Sequence, residues 1–481
     1  MLIILIATMV AVSQQTGQAQ LRTWADCGGP VPNTAIVACT LLIDATGSTP
    51  SDQIRALTLR GQAKGRMGDY AAAVADFTRA IDLDPKSANS YYIRGVAHLS
   101  TRHYELAIAD LGKATELAPE NPVAWAARAS ARLSLSDLAG ALADSSHAIE
   151  IAPAYPSGYE VRGQVKSRQK DFAGALAVMD KAVALEPTAR YVNNRAAMKL
   201  DNKDYDGALA DYERLITLAP GNPVGYYGRG FIALHRKDYA TALKEFERST
   251  SLDPKYLGGL AGRADTRAAM GDLTGALEDC ARLVVLDPLS PAAHRRCASF
   301  KSKAGDTDGA LSAYGRAIEL DPKNPTSYHY RGIIRSDAHD FAGALTDWRQ
   351  SATLDPAQDY VYLRIWLVEA RIGDRAKATE DLRAAITRRK AANADAWAMM
   401  LAEYLIGQVS EDSLLKGAED GDAVQVRDRR CEAFFYAGWR HLVDRDEAGA
   451  RERFTKSVET QATTMLELVS ATAELKFLNK K

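Results

Sequence analysis

The sequence predicts an all-α solenoid, a stack of helical hairpins repeated along the chain, and three recurrences predict it. A proline preceded by Leu-Asp, Leu-Ala, Ile-Ala or Leu-Glu returns at Pro85, Pro119, Pro153, Pro187, Pro220, Pro254, Pro288, Pro322 and Pro356, every 34 residues with one interval of 33. Twelve residues before each proline stands an alanine: Ala73, Ala107, Ala141, Ala175, Ala208, Ala242, Ala276, Ala310 and Ala344. Twenty-four residues before it stands Gly or Ala: Gly61, Gly95, Ala129, Gly163, Ala196, Gly230, Ala264, Ala298 and Gly332. Fixed periods of 20–50 residues belong to arrays in which each unit buries its apolar face against the next.

Each element of the unit follows from these positions. Helix backbones approach closely only where side chains are small, so the Gly or Ala of the first helix and the alanine of the second mark their crossing. Gly68-Asp69, Gly271-Asp272 and Gly305-Asp306 place a helix-ending glycine beside an N-capping aspartate, which makes the turn between the two helices. Tyr70, Tyr104, Phe172, Tyr205, Tyr239 and Phe341 open the second helix and are expected in the core. The proline ends it, because it donates no hydrogen bond and disfavours helix in the residue before it.

A correlated pair adds a cross-link. The residue before the small position is Arg at Arg60, Arg94, Arg128, Arg162, Arg195, Arg229, Arg263 and Arg331. Sixteen residues on stands an acid at Asp76, Asp110, Asp144, Asp211, Glu245, Asp279 and Asp347. The unit ending at Pro322 has Cys297 and Ala313 instead. The pattern implies an ion pair between the helices of one hairpin; the alternative is a ladder of arginines facing an acidic ligand.

The ends depart from the repeat. Residues 1–19 are expected to be a signal peptide: Leu2 to Val12 is an apolar run too short to span a membrane, and Gly17-Gln18-Ala19 suits a peptidase, although no basic residue precedes the run. Residues 20–49 form an N-terminal cap, where Gly28, Gly29, Pro30 and Pro32 leave little to bury and Cys27 and Cys39 invite a disulfide or remain two thiols. Thr49-Pro50-Ser51-Asp52 starts the first repeat helix. The array runs over 50–390, with a tenth hairpin traced by Tyr362, Gly373-Asp374, Ala378 and Leu382. Residues 391–481 make a C-terminal helical module with an eleventh hairpin around Gly438, Ala450 and Phe454. Its last helix carries an apolar stripe of Met465, Leu468, Val469, Thr472, Leu475 and Leu478. Cys280, Cys297 and Cys431 read as small core residues, with a Cys280–Cys297 bridge open.

Composition excludes several function classes. With 60 basic against 61 acidic residues the net charge is -1, which gives no electrostatic reason for nucleic acid or an anionic membrane as partner. No phosphate loop, zinc-protease helix or nucleophile elbow occurs. Gly228-Arg229-Gly230 with Ala233 fits a dinucleotide fingerprint but falls on a repeat helix without a preceding strand. No catalytic residue, cofactor or metal is expected, and the chain reads as no enzyme.

The 34-residue pattern resembles the tetratricopeptide repeat (TPR) family, with a small residue at its eighth position, Ala at its twentieth and Pro near its end. The resemblance implies a right-handed superhelix and a protein-binding scaffold or adaptor. It also implies a concave groove lined by positions two, five, nine, twelve and thirteen of each first helix. In repeats five and six those positions give Arg190, Asn193, Tyr227, Phe231, Leu234 and His235, a mixture suited to an interface centre, although Tyr227 and Phe231 could instead pack on neighbouring helices. The Lys and Asn set of the chaperone-binding carboxylate clamp is not supplied. Trp24, Cys27 and Ile36-Val37-Ala38-Cys39-Thr40 resemble the opening of exported TPR proteins of alphaproteobacteria. The run Cys431-Glu432-Ala433-Phe434-Phe435-Tyr436-Ala437-Gly438 and Ala473-Glu474-Leu475 are similar to the end of the periplasmic TPR lipoprotein of enterobacteria, an adaptor of murein hydrolases. That implies a periplasmic or secreted protein whose partners are envelope hydrolases or proteases. The alternatives are a cytoplasmic protein and an enzyme component active in the C-terminal module.

Overall fold

A computed structural model describes residues 23–390, 392, 394–462 and 465–480. The signal-peptide segment 1–19 lies outside these residues. The described chain is helical, with no strand among the described residues, and forms two compact units, 1–232 and 233–481.

The first unit opens with a helical turn at 23–27 and α1 (Pro32–Asp44), then runs in pairs. These are α2 and α3 (Pro50–Arg66, Tyr70–Leu83), α4 and α5 (Ala88–Ser100, Tyr104–Leu117), and α6 and α7 (Pro122–Ser134, Leu138–Ile151). They continue as α8 and α9 (Pro156–Arg168, Phe172–Leu185), then α10 and α11 (Ala189–Asp201, Tyr205–Leu218). The division into units falls inside α12 (Pro223–His235). The second unit continues with α13 (Tyr239–Leu252), α14 and α15 (Leu257–Ala269, Leu273–Leu286), α16 and α17 (Pro291–Lys303, Thr307–Leu320), and α18 and α19 (Pro325–Asp337, Phe341–Leu354). It closes with α20 and α21 (Asp359–Ile372, Arg375–Lys390), α22 (Ala396–Leu405), α23 (Glu411–Gly417), α24 and α25 (Ala423–Val443, Glu447–Glu459) and α26 (Leu466–Leu478).

The turn chemistry is as read, and more widespread. Gly68, Gly271 and Gly305 adopt φ of 82°, 88° and 82°. The same left-handed position in other hairpins is held by Arg102, Ser136, Lys170, Lys203, Lys237, His339 and Arg445 at φ of 60° to 63°. A side chain there costs about 1 kcal/mol or more, and the capping bonds around it offset this. Asp137, for example, accepts from the Gly140 amide at 2.9 Å, while its own amide donates to the Arg132 carbonyl at 2.9 Å.

The nine repeat alanines are 0–1% exposed, so the close crossing is real. The aromatics that open the second helices are half-buried, a correction to their expected core position: at the first residue of a helix only one side of the ring meets the hairpin. Thr49 caps α2 by accepting from the Asp52 amide.

The ion pair is confirmed, and it is larger than a pair. Arg128 places Nε and Nη2 on the Asp144 carboxylate at 2.8 Å each, and Arg132, one turn on, adds Nη1 at 2.8 Å. Asp76, Asp211, Asp279 and Asp347 likewise hold Arg60 with Lys64, Arg195 with Lys199, Arg263 with Arg267, and Arg331 with Arg335. The third nitrogen of the arginine reaches back to the preceding hairpin, as Arg94 Nη1 does to Thr78 and Arg263 Nη1 to Thr250. With their donors spent inside, these arginines do not present a ladder to a ligand. Arg162 is the exception: Val178 stands where the acid would, and its buried Nε has no hydrogen-bond partner.

Both cysteine pairs lie at disulfide distance, with Cα atoms 4.7 Å apart for Cys27–Cys39 and 5.5 Å for Cys280–Cys297. The second is informative. Cys297 replaces the repeat arginine, and its bond to α15 of the preceding hairpin takes over that arginine's backward reach covalently. Cys431 is a buried free thiol, as its core reading requires.

The second unit ends differently from a plain array. One core runs from Ile333 to Leu478, so the ninth and tenth hairpins share it with residues of 391–481. In the first unit one cluster runs from Tyr159 to Ile232, and the other buried clusters are small and local to adjacent hairpins.

Candidate functional site

In the first unit the first helices α4, α6, α8 and α10 touch in succession and form one face. A groove of about 480 Å³ opens on it, lined by Leu133, Gln164, Ser167, Arg168, Asn194, Ala197, Met198 and Asp201. Leu133 comes from α6, the next three residues from α8 and the rest from α10, so three hairpins build it.

Above the groove a polar network ties α8 to α10. Glu160 is buried and accepts from Asn194 Nδ2 at 2.6 Å; Arg190 Nη1 stands 3.3 Å away. Burial raises the Glu160 pKa, and Arg190 and Asn194 only partly offset that. Arg190 also donates to Tyr191 Oη at 2.6 Å and to Ser157 Oγ at 3.2 Å, with its guanidinium over the Tyr191 ring. Arg190 is therefore held by the fold and is not among the residues that line the groove; of this network only Asn194 is. Asn193 is half-buried beside it.

Tyr227 and Phe231 lie one turn apart on α12 with ring centroids 6.3 Å apart, and Phe231 is 39% exposed. Leu234 and His235 sit in the last turn of α12, beyond the division between units, so the first unit carries four of the six expected residues. What sequence reading missed is repeat four. The five groove positions give Ser157, Glu160, Gln164, Ser167 and Arg168 there: the last three supply one wall of the groove, and the first two are the α8 side of the network.

The C-terminal module has a second cleft, of about 370 Å³, lined by Tyr404, Gly407, Gln408, Val409, Ser410, Glu411, Arg440, His441 and Asp444. Its one histidine is engaged on both sides, Nδ1 with Asp446 at 2.8 Å and Nε2 with Glu411 at 3.2 Å. Glu411 is taken again by Arg453 Nε at 2.8 Å and by the Tyr404 hydroxyl at 3.3 Å. Burial raises the Glu411 pKa, but the contacts with Arg453 and His441 outweigh it and the carboxyl stays ionised more readily than usual. No group of three or more His, Cys, Asp or Glu side chains placed to hold a metal occurs among the described residues. Gly228, Arg229 and Gly230 lie mid-helix, so the dinucleotide fingerprint has no loop to cradle a phosphate.

Where the ninth hairpin meets the module, burial pushes the Asp337 carboxyl up to about 7; Arg364 and Ser470 pull it down, and Glu474 and Glu467 add to the rise. Burial and Glu467 raise Glu432 as well, against the hydrogen bonds from Trp397 and Tyr360. An acid that binds its proton more tightly when folded stabilises fully below its unfolded pKa and loses that contribution as pH rises through the folded one. The urea midpoint of the second unit is thus expected to fall between pH 5 and pH 8, and Asp337→Asn to flatten part of that slope. An unchanged slope in the variant would remove Asp337 from the account.

Among the described residues no helix is long and apolar enough to cross a membrane. Residues 58–122 and 161–223 match the tetratricopeptide repeat family model. No curated protein matches the chain. Among solved structures, a tetratricopeptide repeat protein from Parabacteroides merdae is similar at 18% identity and TM-score 0.42, covering 52% of this chain and 98% of that one. Pseudomonas aeruginosa pilF is similar at 20% identity and TM-score 0.38, covering 42% of this chain and 93% of that one. A thermophilic TPR protein of Thermus thermophilus is similar at 22% identity and TM-score 0.33, covering 36% and 92%. The 34-residue signature, the paired helices that realise it and the two matched segments agree: residues 58–122 and 161–223 carry tetratricopeptide repeats, and the described chain folds as helical hairpins of the same kind.

Proposed function

We propose that the protein is a non-catalytic adaptor that holds an extended segment of a partner protein on its first-helix face, across α6, α8 and α10 and onto Tyr227 and Phe231 of α12. The observation that carries this is the groove itself. Three successive first helices leave an open channel with an amide at Gln164, a guanidinium at Arg168 and apolar flanks at Leu133 and Met198. Side-chain amides suit a peptide backbone, and a rim of charge around apolar anchors is the make-up of an interface. Arg190 and Asn193 extend the same set of positions within the first unit, with Arg190 also bracing Glu160.

The compartment belongs to the same proposal. Two cysteine pairs at bonding distance suit an oxidising environment, in keeping with an exported protein and partners in the cell envelope, such as hydrolases or proteases.

Tyr227→Ala combined with Phe231→Ala is expected to weaken partner capture at least tenfold while helical signal and melting point stay near wild type. Full-strength capture by the folded double variant would move the site off α12.

A further inference from the structure

The loop edge of the seventh hairpin breaks the pattern of its neighbours. Three residues before the repeat proline and one after it, the first hairpin carries Asp82 and Lys86, the second Glu116 and Glu120, and the eighth Glu319 and Lys323. The seventh carries Val285 and Leu289, which are 79% and 68% exposed. No other of the nine repeats has a large apolar residue at either position. A single exposed apolar side chain is ordinary, but these two flank a cavity. Leu283, Asp287 and Ser290, each within two positions of one of them, line a space of about 230 Å³.

The remaining walls come from two first helices. Leu257, Gly258 and Ala261 belong to α14, and Ala293 and Arg296 to α16. The space is smaller than the about 300–1,000 Å³ of small-molecule sites, and its size is that of one large apolar side chain. Its walls are tied together. Cys280, one turn before Leu283 on α15, stands at disulfide distance from Cys297, which follows Arg296 on α16. A cavity held by a link between its own walls has little left to order when it is filled.

The charge that the cavity presents has one sign. Arg296 is held by Asp265, through Nε at 2.8 Å and Nη2 at 3.2 Å. At the position of Asp287 in other hairpins, Asp84, Asp253, Asp321 and Asp355 accept from the amide two residues on, at 2.9–3.3 Å. Asp287 makes no such bond and lines the cavity instead; among the described residues its carboxylate has no hydrogen-bonding or ionic partner. A carboxylate left over at an apolar cavity complements a cation and fixes the orientation in which it arrives.

We propose that this edge of the second unit is an anchor site for a partner segment carrying a leucine- or phenylalanine-sized side chain beside a lysine or arginine. The apolar side chain fills the cavity between Leu257 and Leu283, and the cation meets Asp287. Val285 and Leu289 cover the flanking residues of the segment. The occupant is a short segment rather than a second copy of this chain. A stable dimer needs about 800 Å² from each partner, and one cavity with two exposed side chains offers a fraction of that. The site belongs wholly to the second unit and the groove to the first, so each can fail without the other.

The test uses the full chain with its disulfides formed and a displayed library of random twelve-residue peptides, first depleted on Val285→Glu with Leu289→Glu. That variant carries the pair of residues that the second hairpin has at these positions, so it is expected to melt with wild type. The depletion also removes peptides held by the first unit, which the variant leaves intact. Peptides that wild type then retains are expected to share an apolar residue next to Lys or Arg. The commonest of them, labelled with fluorescein, should bind the double variant at least tenfold more weakly than wild type. Changing its basic residue to Gln should weaken binding at least threefold on wild type and leave it unchanged on Asp287→Asn. Depletion that leaves no binder, or retained peptides without the apolar–basic pair, would overturn the proposal. So would a basic-to-Gln change that costs as much on Asp287→Asn as on wild type.

Discussion

Asp144→Ala is expected to destabilise the third hairpin by about 3 kcal/mol, near the lower end of the cost of stripping one partner from a buried ion pair because Arg128 and Arg132 keep some contact with water. The substitution leaves two guanidiniums facing a space that held one carboxylate, and breaks bonds of 2.8 Å from both. Repeat arrays lose stability locally, because each hairpin contacts only its neighbours. The effect is therefore best read as hydrogen exchange in α6 and α7, which should quicken roughly 100-fold, while Lys255→Ala on an exposed loop changes nothing measurable. The converse is open at the fourth hairpin. Val178→Asp supplies the carboxylate that Arg162 lacks and should satisfy its orphaned Nε at little net cost or gain. Slow exchange in α6 and α7 of the Asp144 variant would mean the ladder is decorative.

Gly332→Leu should cost about 3 kcal/mol, at the top of the range for overpacking. A Cβ at Gly332 would lie 2.6 Å from Trp348 Nε1, and Trp348 cannot yield. It is 1% exposed, sits in the core that runs from Ile333 to Leu478, and donates to the His329 carbonyl at 3.1 Å. The loss is expected as an earlier melting of the second unit with the first unit's transition unmoved. Coincident transitions at the wild-type temperature would contradict the close crossing that the repeat implies.

What could be read from the sequence and what could not divide along one line. The hairpins, the buried alanines and the arginine–aspartate ladder were legible because each is a contact of fixed short spacing, made again in every unit. Sixteen residues separate Arg60 from Asp76 and Arg331 from Asp347 alike, so physics imprints itself as period. The second partner of each aspartate, four residues after the arginine, carries the same signal but varies between the cations Lys and Arg and, at Asp110, His98. The turns were legible only where glycine occupies the left-handed position; Lys170 and Ser136 hold it unannounced.

The groove was half legible. Repeat positions point to Arg190 and Asn193, and the groove positions of repeat four hold Ser157, Gln164 and Arg168, whose common polar types carry no mark of their own in the sequence. The C-terminal packing was hidden for the opposite reason. Arg364 meets Glu467 across 103 residues and does so once. No period records such a contact; of the apolar stripe on α26, Leu478 is buried and Leu475 packs against the core, while Val469 stays exposed and Glu467 and Glu474 are buried beside it.

The central claim is that the first-helix face of the first unit binds protein. A photo-crosslinking residue placed singly at Gln164, Ala197 or Phe231, and in separate variants at the exposed second-helix positions Leu106 and Leu185, tests it in the native cells. The account predicts a discrete protein adduct from each of the first three positions and none from the last two. Adducts of equal yield from all five, or from Leu106 and Leu185 alone, would contradict it.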